Sequence, residues 1–324
     1  MKKKILVILS VLLLVLSTFT GCGKRKYNTD GQLEFGVPSD LPVYAHCGMS
    51  ANYAVIAENE TINAASFLGT SSAMLVNDTD KTALVAHDVH TRIYPASMTK
   101  IMTGIIVFES LENGTISLDD TIKLDHTITF DEWGVVASDL KAGCKVSVKD
   151  LIYGLLITSY NDCAVILAEK IAGSEEAFVD LMNEKAYELG ATNTHFVNPH
   201  GLHSDNHYTT AYDLYLIFSE FTKYDMAYMI DSLTSYDFTY INEEGELTTV
   251  TIRASNGFLS GEYNLPDGYS VGSWKSGTTT DAGHCLIMEF VNDTSGKKYI
   301  AIVAKADDRE MLYSKMTSLI GLAE

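Results

Sequence analysis

Ser97 and Lys100 are the residues of this sequence whose types and spacing first indicate chemistry. They lie in the stretch YPASMTKIMT, residues 94–103, which has helical character. Residues three apart on a helix lie on the same face, so the hydroxyl and the amine are neighbours. A serine becomes a nucleophile when a base takes its proton, and lysine can be that base where burial or a second cation lowers its pKa. A helix cap at Ser97 and a solvated Lys100 are the ordinary alternatives.

Two further motifs carry polar groups that such a reaction needs. Ser159 and Asn161, in the motif S-x-N, fall in a polar break between two apolar helical stretches. Lys275, Ser276 and Gly277 follow much later in a strand-like context. Taken alone, the S-x-N motif is typical of a helix–helix turn, and the Lys275 motif is typical of a charged edge strand with a glycine bulge. The three motifs in this order, with a helical insert between the first and the third, favour a catalytic site.

The hydrophobic pattern predicts the helices that position these motifs. Apolar residues recur at helical spacing after Ser97 and on both sides of the break at residues 158–162. The stretch SEEAFVDLMNEKAYELG predicts a helix that begins at a serine cap and ends at Gly190. A further helix is predicted for TTAYDLYLIFSEF, where Thr210 and Asp213 are spaced as in a capping box.

Strands are predicted near both ends of the chain. Residues 71–88, SSAMLVNDTDKTALVAHD, predict two strands around a turn at residues 77–80. The segments YSVGSWKSG, HCLIMEFVND and KKYIAIVAKA predict three more, and REMLYSKMTSLIGLA predicts a final helix. The expected fold class is therefore α+β, with one antiparallel sheet that the last strands complete and helices around it.

The composition excludes several classes of protein. The chain has 324 residues and a formal net charge of -19, and its apolar fraction is ordinary for a globular protein. Disordered and polytopic membrane proteins are excluded on that ground. The acidic balance argues against nucleic acid as a partner, since phosphate binding needs a basic face. It also argues against adhesion to an anionic membrane through surface charge alone.

The first residues predict export. Three lysines at residues 2–4 precede the apolar run Ile5–Leu16, and small and polar residues follow up to Cys22. That order predicts a secretory signal rather than a membrane span, because the run is short. Thr20-Gly21-Cys22 resembles the bacterial lipobox, with Phe19 where leucine is preferred. We expect a lipoprotein signal peptide at residues 1–21, a tether and lead-in at residues 22–69, and a catalytic domain at residues 70–324.

Four other cysteines and a group of histidines need separate interpretation. The cysteines are widely spaced and lack the C-x-x-C pattern of a zinc site, so we expect them to be small buried residues first and disulfides second. These cysteines are Cys47, Cys144, Cys163 and Cys285. The histidines at residues 200, 203 and 207 prompt a zinc peptidase as an alternative, but their spacing is not that of the H-E-x-x-H helix. We expect loop histidines, no metal and no cofactor.

The three motifs S-x-x-K, S-x-N and K-[ST]-G, in this order, resemble the signature of penicillin-binding proteins and serine β-lactamases. The sequence around these motifs narrows the resemblance to the low-molecular-mass D-alanyl-D-alanine carboxypeptidases, serine peptidase family S11. It is carried by ASMTKIMT, LLITSYNDCAVILAE, FVDLMNEKAYELGATNTHFVNPHGL and HYTTAYDL. The likeness runs from about residue 71 to the final helix. It implies a β-lactamase/transpeptidase-like fold with a helical insert.

The resemblance implies a catalytic role for three residues. Ser97 would be the acylated nucleophile, Lys100 its base, and Ser159 a proton relay to the leaving amine. The backbone N–H groups of Ser97 and Thr278 would form the oxyanion hole. The implied activity is a D,D-carboxypeptidase that removes the terminal D-alanine from peptidoglycan stem peptides through an acyl-serine intermediate. β-Lactam antibiotics would acylate the same serine.

The resemblance also implies a substrate-binding set. Asn161 would hold the substrate backbone, and Lys275 would attract the terminal carboxylate while favouring neutral Lys100. The hydroxyls of Ser276 and Thr279 would hydrogen-bond that carboxylate, beside Gly277. Arg309 is a further candidate for a carboxylate contact, and Cys22 would carry the lipid that holds the protein at the outer face of the membrane.

Two departures from the family bear on the alternatives. This chain has Lys275-Ser276-Gly277 where the family usually has K-T-G, which keeps a hydroxyl. Fewer than 50 residues follow Gly277, so we expect no C-terminal β-sandwich domain. A serine β-lactamase of the same fold is one alternative, but no E-x-x-L-N lies between Asn161 and Lys275 to hold a deacylating water. A catalytically silent wall-binding lipoprotein is another, against which the intact motifs argue.

Overall fold

Nine strands form two antiparallel sheets in the structure, a computed structural model that describes residues 52–323 apart from residues 68, 71 and 133. The strands are β1 (Ser72–Asn77), β2 (Thr82–His87), β3 (Thr121–Lys123), β4 (Lys145–Ser147), β5 (Ser235–Ile241), β6 (Leu247–Arg253), β7 (Tyr269–Thr279), β8 (Gly283–Asn292) and β9 (Lys298–Ala306).

The larger sheet has the strand order β2-β1-β9-β8-β7. Its two halves come from opposite ends of the described chain, since Ser72 of β1 pairs with Ala304 of β9. This confirms the predicted strands and their assembly into one sheet by the last strands of the chain. β7, which carries Lys275, is an edge strand, so one side of its backbone lacks a neighbouring strand in this sheet.

A second sheet, of order β3-β4-β5-β6, was not predicted. β3 and β4 are three residues long, too short to show a strand period in the sequence. β5 and β6 are seven residues each and alternate polar and apolar positions, with Phe238 and Tyr240 turned inward. The sheet gains its stability from packing against the helices rather than from a strong local pattern.

The described part of the chain has seven α-helices, which surround the sheets. They are α1 (Lys100–Glu112), α2 (Val148–Tyr153), α3 (Asn161–Ala172), α4 (Glu175–Glu188), α5 (Ala211–Phe221), α6 (Asp225–Asp231) and α7 (Arg309–Ile320). Helix α1 is buried on nearly all sides, which explains why its sequence is apolar on every face. The α+β class and the helical insert between the first and last strands are therefore confirmed. Among the described residues, β9 is followed by α7 and by no further sheet.

The predicted helix starts are largely confirmed by side-chain caps. The Ser174 hydroxyl accepts a hydrogen bond from Ala177 N, and the Thr210 hydroxyl accepts one from Asp213 N. The second half of the expected capping box differs, because the Asp213 carboxylate accepts from Asn193 N and the Thr194 hydroxyl instead. Asp213 therefore ties the start of α5 to the loop after α4.

Residues 52–67, which we assigned to the lead-in, pack against the core. Ala54, Ile56 and Phe67 are buried, and Ile62 forms an antiparallel bridge with Ala86 of β2. The packed domain therefore begins before residue 70. The signal peptide, Cys22 and the rest of the proposed tether lie outside the described residues. Among the helices that the structure describes, none combines the length and the apolar character that a membrane span requires.

Candidate active site

Ser97 lies in a tight turn immediately before helix α1. Residues Ala96–Thr99 form a 3₁₀ helix that continues into α1 at Lys100. Ala96 has a left-handed φ of 47°, an uncommon conformation for a residue with a side chain. The turn places Ser97 at the N-terminal end of α1, where backbone N–H groups and the helix dipole favour developing negative charge.

The Lys100 amine is completely buried and lies between three oxygen atoms. Its Nζ is 3.1 Å from Ser97 Oγ, 2.5 Å from Asn161 Oδ1 and 2.6 Å from the main-chain oxygen of His200. The last two oxygens are acceptors. A neutral amine has two N–H groups, which these acceptors take, so its lone pair is left for the Ser97 hydroxyl.

The environment of Lys100 favours that neutral form. Burial lowers the pKa of its amine well below the ordinary value, and the positive charge of Lys275 lowers it further. No carboxylate forms an ion pair with Lys100 among the described residues. An amine that is desolvated and faces another cation is suited to accept a proton near neutral pH.

The S-x-N motif lies where the helix between residues 148 and 172 is broken. Residues Gly154–Thr158 form a π-helical turn, and Ser159 then takes a left-handed conformation with φ 69°. Asn161 begins α3 directly after this break, and its side-chain oxygen contacts the Lys100 amine. Wide helical turns and left-handed residues of this kind occur most often at functional sites.

The Ser159 hydroxyl is buried but has no hydrogen-bond partner among the described residues. Its residue is 8% exposed, so its environment opens slightly to the surface. A buried hydroxyl without a partner is costly, and its persistence calls for a function. A group that transfers a proton to a substrate atom meets that requirement.

Strand β7 brings the third motif against the Ser97 turn. A Cβ atom placed on Gly277 would lie 2.9 Å from Ser97 N and 3.1 Å from the Pro95 oxygen. Glycine is therefore required for the strand to approach the turn this closely. Residue 278 follows directly, so the N–H groups of Ser97 and Thr278, predicted to form the oxyanion hole, lie in neighbouring segments.

Lys275 is completely buried in β7. Burial lowers its pKa to about 8, whereas the carboxylate of Asp231 raises it. The Lys275 Nζ lies 3.4 Å from the main-chain oxygen of Ser276, and the Ser276 hydroxyl lies 2.8 Å from that of Ser255. The cation therefore has a main-chain contact on β7, and the hydroxyl is held by Ser255, which follows β6.

The remaining residues of the predicted binding set lie at the end of β7 or beside it. The Thr279 hydroxyl accepts from Ala282 N, and the Thr278 hydroxyl lies 3.3 Å from His284 Nδ1. Arg309 forms an ion pair with Glu262 at 2.8 Å. It also donates to the main-chain oxygen of Ser255 at 3.1 Å, and Ser255 contacts Ser276. Arg309 thus approaches the site through Ser255.

Sequence reasoning missed the loop that supplies an acceptor to Lys100. The main-chain oxygen of His200 takes this role, and the Thr103 hydroxyl fixes the loop by donating to the Pro199 oxygen at 2.6 Å. Gly201 has a φ of 92°, and a Cβ there would lie 1.9 Å from the Ala96 oxygen. The signal in the sequence was Gly201 itself, which follows His200 in the segment NPHGL.

The three loop histidines face different neighbours. His207 lies 2.7 Å from the Thr99 hydroxyl through Nε2, and its Nδ1 accepts from Val197 N at 3.0 Å. Burial lowers the pKa of His207 to about 3, so the ring is neutral. His200 packs against Phe130 and lies 3.5 Å from Glu175, while His203 packs against Tyr94. These separate environments are those expected of loop histidines.

The described cysteines are buried and not bonded to one another. Cys144, Cys163 and Cys285 are free thiols in the structure. This agrees with the first expectation, of small buried residues. Cys22 and Cys47 lie outside the described residues.

The assembled groups have the composition of a serine acyl-transfer site. The Ser97 hydroxyl is in contact with the buried Lys100 amine, the Ser159 hydroxyl of the second motif has no hydrogen-bond partner among the described residues, and the Lys275 amine of the third motif is buried. The Ser97 N–H lies at the close approach of Gly277, the residue before Thr278, and N–H groups at such a place would stabilise a tetrahedral oxyanion.

Comparison with known proteins agrees with this chemistry. The family model Peptidase_S11, D-alanyl-D-alanine carboxypeptidase, matches residues 58–308. The chain is 40% identical over 151 residues to D-alanyl-D-alanine carboxypeptidase DacF of Bacillus subtilis. The match covers 46% of this chain and 38% of that protein. It is 34% identical over 246 residues to DacD of Escherichia coli, which covers 73% of this chain and 58% of that protein. The chain thus spans less than two thirds of the length of these relatives.

A solved structure confirms the expected fold. Penicillin-Binding Protein D2 from Listeria monocytogenes, in its cefotaxime-bound form, superposes with a TM-score of 0.66 at 25% sequence identity. The match covers 79% of this chain and 97% of that one. The β-lactamase/transpeptidase-like architecture predicted from the three motifs is therefore correct.

Proposed function

Because the chain belongs to the D-alanyl-D-alanine carboxypeptidase family, Peptidase_S11, we propose that it hydrolyses the last peptide bond of peptidoglycan stem peptides ending in D-Ala-D-Ala. The observation that carries the proposal is the contact of the buried Lys100 amine with Ser97 Oγ at 3.1 Å, with both N–H groups of the neutral amine taken by other acceptors.

Acylation begins with transfer of the Ser97 hydroxyl proton to Lys100. The Ser97 oxygen forms a bond to the carbonyl carbon of the penultimate D-alanine, and the carbonyl oxygen becomes an oxyanion. The N–H groups of Ser97 and Thr278 donate to that oxyanion, and each lowers the activation free energy by about 3 kcal/mol. Both donors are part of rigid elements, so little reorganisation is needed as charge develops.

The leaving nitrogen takes its proton through Ser159. The proton on Lys100 passes to the Ser159 hydroxyl, whose own proton goes to the nitrogen of the departing D-alanine. The carbon–nitrogen bond then breaks and leaves an ester on Ser97. The unpaired state of the Ser159 hydroxyl in this structure supports the role, since no protein partner competes with the substrate.

Deacylation repeats these steps with water. Lys100 takes a proton from a water molecule, whose oxygen attacks the ester carbon. The bond between the Ser97 oxygen and the acyl carbon breaks, Ser97 regains a proton, and the shortened peptide leaves as a carboxylic acid. The same two N–H groups stabilise the second oxyanion.

Substrate binding uses the free edge of β7 and the side chains beside it. The Lys275 cation and the hydroxyls of Ser276 and Thr279 bind the terminal carboxylate. Asn161 gives its oxygen to Lys100, so its amide NH₂ group remains for a substrate carbonyl. Gly277 allows the strand to lie against the Ser97 turn, so that a substrate backbone paired with the edge of β7 would lie beside Ser97.

Penicillin acylates Ser97 in the same way, and this provides the decisive experiment. The purified protein is incubated with penicillin and then with a diacyl-D-Ala-D-Ala peptide, and both products are followed by mass spectrometry. We expect the full mass of the antibiotic on a peptide containing Ser97, slow release, and loss of one D-alanine from the substrate. A label on another residue, or rapid turnover of penicillin, would contradict the proposal.

We also propose that a lipid on Cys22 holds the protein at the outer face of the cytoplasmic membrane. The short apolar run Ile5–Leu16 followed by Gly21-Cys22 supports export and lipidation. Residues between Cys22 and about residue 51 would serve as a tether. Stem peptides lie outside that membrane, so an anchored enzyme with some reach would meet its substrate there.

A further inference from the structure

Ser255, in the loop after β6, lies where three elements of the site meet. Its hydroxyl lies 2.8 Å from that of Ser276 on β7. Its N–H donates to the main-chain oxygen of Ile157 at 3.3 Å, within the π-helical turn that precedes Ser159. Its main-chain oxygen accepts a hydrogen bond from Arg309, at the start of α7, at 3.1 Å. No step of the proposed reaction uses Ser255, although its N–H, its oxygen and its hydroxyl are all bound beside the site.

The loop that carries Ser255 is held against α7 by other contacts. Arg309 donates to the Glu262 carboxylate through Nε at 3.1 Å and through Nη2 at 2.8 Å, so its planar guanidinium is fixed at two nitrogens. The Tyr313 hydroxyl accepts from Gly257 N at 2.6 Å, and a Cβ on Gly257 would lie 2.9 Å from the Tyr313 ring. These contacts hold the loop without the Ser255 hydroxyl, which reaches Ser276 instead.

A bound substrate decides the direction of the hydrogen bond between the two hydroxyls. Without substrate, either hydroxyl can be the donor. A carboxylate only accepts hydrogen bonds, and a serine side chain has a single hydrogen to donate. When Ser276 donates to the terminal carboxylate, its oxygen must therefore accept from Ser255. The two hydrogen bonds then form a chain from Ser255 through Ser276 to the carboxylate, in which each bond polarises the next.

We propose that Ser255 is a positioning residue for the terminal carboxylate of the substrate and acts through Ser276. The inference rests on the proposed function, because it assumes that Ser276 binds that carboxylate. Ser255 donates to the Ser276 oxygen and leaves the Ser276 hydrogen for the substrate. A hydroxyl held in its binding orientation loses less freedom when the ligand binds. Ser255 therefore serves recognition of the free chain end, and the bond-breaking steps do not depend on it.

A pair of thioester substrates isolates recognition of the carboxylate. Both contain diacyl-D-Ala joined to a thioglycolyl leaving group, which ends in a free carboxylate in one substrate and in a carboxamide in the other. A thiolate leaves readily, so cleavage of both substrates can be followed by the thiol that is released. The ratio of kcat/KM for the acid to kcat/KM for the amide measures how strongly the protein recognises the carboxylate. We expect the wild-type protein to prefer the acid.

Ser255→Ala should lower this ratio about three- to tenfold, the effect of losing one hydrogen bond between neutral groups. The loss should arise mainly from a higher KM for the acid, whereas kcat should change less. Ser255→Thr keeps the hydroxyl and should keep the ratio. Ser260→Ala is the matched control, because it removes a hydroxyl of the same loop that donates to the Gly257 oxygen at 3.2 Å. The ratio in this control should equal that of the wild type.

A double variant tests whether Ser255 acts through Ser276. Ser276→Ala alone should lower the ratio of acid to amide cleavage. Adding Ser255→Ala should lower the ratio no further, because the hydroxyl on which Ser255 acts is already absent, and residues in contact are not additive. A purely structural role of Ser255 in the loop predicts instead that the two losses multiply and that cleavage of both thioesters declines alike.

The outcomes distinguish this inference from the proposed function. A folded Ser255→Ala protein with the wild-type ratio would overturn the inference, as would an equal loss in Ser260→Ala or a wild-type protein that cleaves both thioesters equally well. Should Ser255→Ala not fold by circular dichroism, Ser255→Cys takes its place with the same expected loss, because a thiol is a weak donor. A wild-type protein that cleaves neither thioester and binds no penicillin would instead refute the proposed function.

Discussion

The side-chain nitrogen of Lys100 lies 2.6 Å from the main-chain oxygen of His200, a residue 100 positions later in the chain. Together with Asn161 Oδ1 at 2.5 Å, this oxygen fixes which direction the lone pair of a neutral Lys100 can face. The remaining direction is that of Ser97. The base is therefore oriented by two acceptors from separate elements, and not by its own helix alone.

Replacement of Lys100 by methionine should nearly abolish acylation. Methionine fills a similar space but cannot take the Ser97 proton, and loss of a general base costs about 10²- to 10⁴-fold. The rate is measured by the appearance of a penicillin adduct on the intact protein. Lys223→Met is a suitable control, because Lys223 is exposed and pairs with Glu220. Undiminished acylation in Lys100→Met would assign the base elsewhere.

Gly201→Ala should lower both stability and the rate of acylation. Its Cβ would lie 1.9 Å from the Ala96 oxygen, so the His200 loop or the Ser97 turn must move. Gly173→Ala is the matched control, since Gly173 has a similar φ of +85° but no atom within 4 Å of an added Cβ. The control should lose about 1 kcal/mol of unfolding free energy and keep its acylation rate. Equal behaviour of the two variants in chemical denaturation and penicillin binding would show that the contact does not matter.

The pH dependence of kcat/KM should be bell-shaped. Lys100 acts in its neutral form, so activity rises with pH through its pKa, which burial and Lys275 place well below the ordinary value. Lys275 acts in its charged form, so activity falls as pH rises past about 8. Lys275→Arg should move the falling limb to higher pH, because a guanidinium does not lose its proton in this range. A falling limb that stays in place in that variant would exclude Lys275 as its source.

Ser276 should tolerate threonine and not alanine. Ser276→Thr keeps the hydroxyl that relatives present and should leave peptide cleavage within a few-fold. Ser276→Ala removes one hydrogen bond to a charged group, worth about 1.5–3 kcal/mol, and should reduce kcat/KM accordingly. The comparison uses diacyl-D-Ala-D-Ala at saturating and limiting concentration. Three equally active proteins would place Ser276 outside the substrate contact.

Cys22→Ser should release the protein from membranes or leave it unprocessed. The mature wild-type protein should partition with membranes and carry the mass of a lipid on its first residue. A second acyl chain is expected, since one chain alone gives marginal binding. Fractionation of cells and mass spectrometry of the mature form give the answer. An unlipidated wild-type protein cleaved at another bond would refute the anchor, whereas the proposed chemistry would be unaffected.

The motifs and the larger sheet could be predicted because each has a strong local signal. Ser97 and Lys100 are spaced three residues apart, and Asn161 lies in a visible polar break between two apolar stretches. The strands of the larger sheet are apolar because both faces of the sheet are covered. The order of the three motifs then indicated the family whose fold we expected.

The acceptor for Lys100 and the contact of Asp231 with Trp274 could not be predicted in this way. The His200 acceptor is a main-chain oxygen, which every residue possesses, so its position depends on the path of a loop and not on residue type. Asp231 reaches Trp274 across the packing of α6 on β7, and neither residue belongs to a recognisable motif. Both contacts arise from tertiary packing between segments far apart in sequence.

The pairing of β1 with β9 determines how early in folding the candidate site can form. A growing chain emerges with β1 and β2 first, and these two strands can form a hairpin on their own. Their partner β9 is made only after the helices α1 to α6 and the strands β3 to β8, and β8 and β7 join the sheet through it. Strand pairings this distant in sequence form slowly, because a long loop must close first. Lys275 therefore meets Ser97 late in folding, and earlier intermediates are without the complete site.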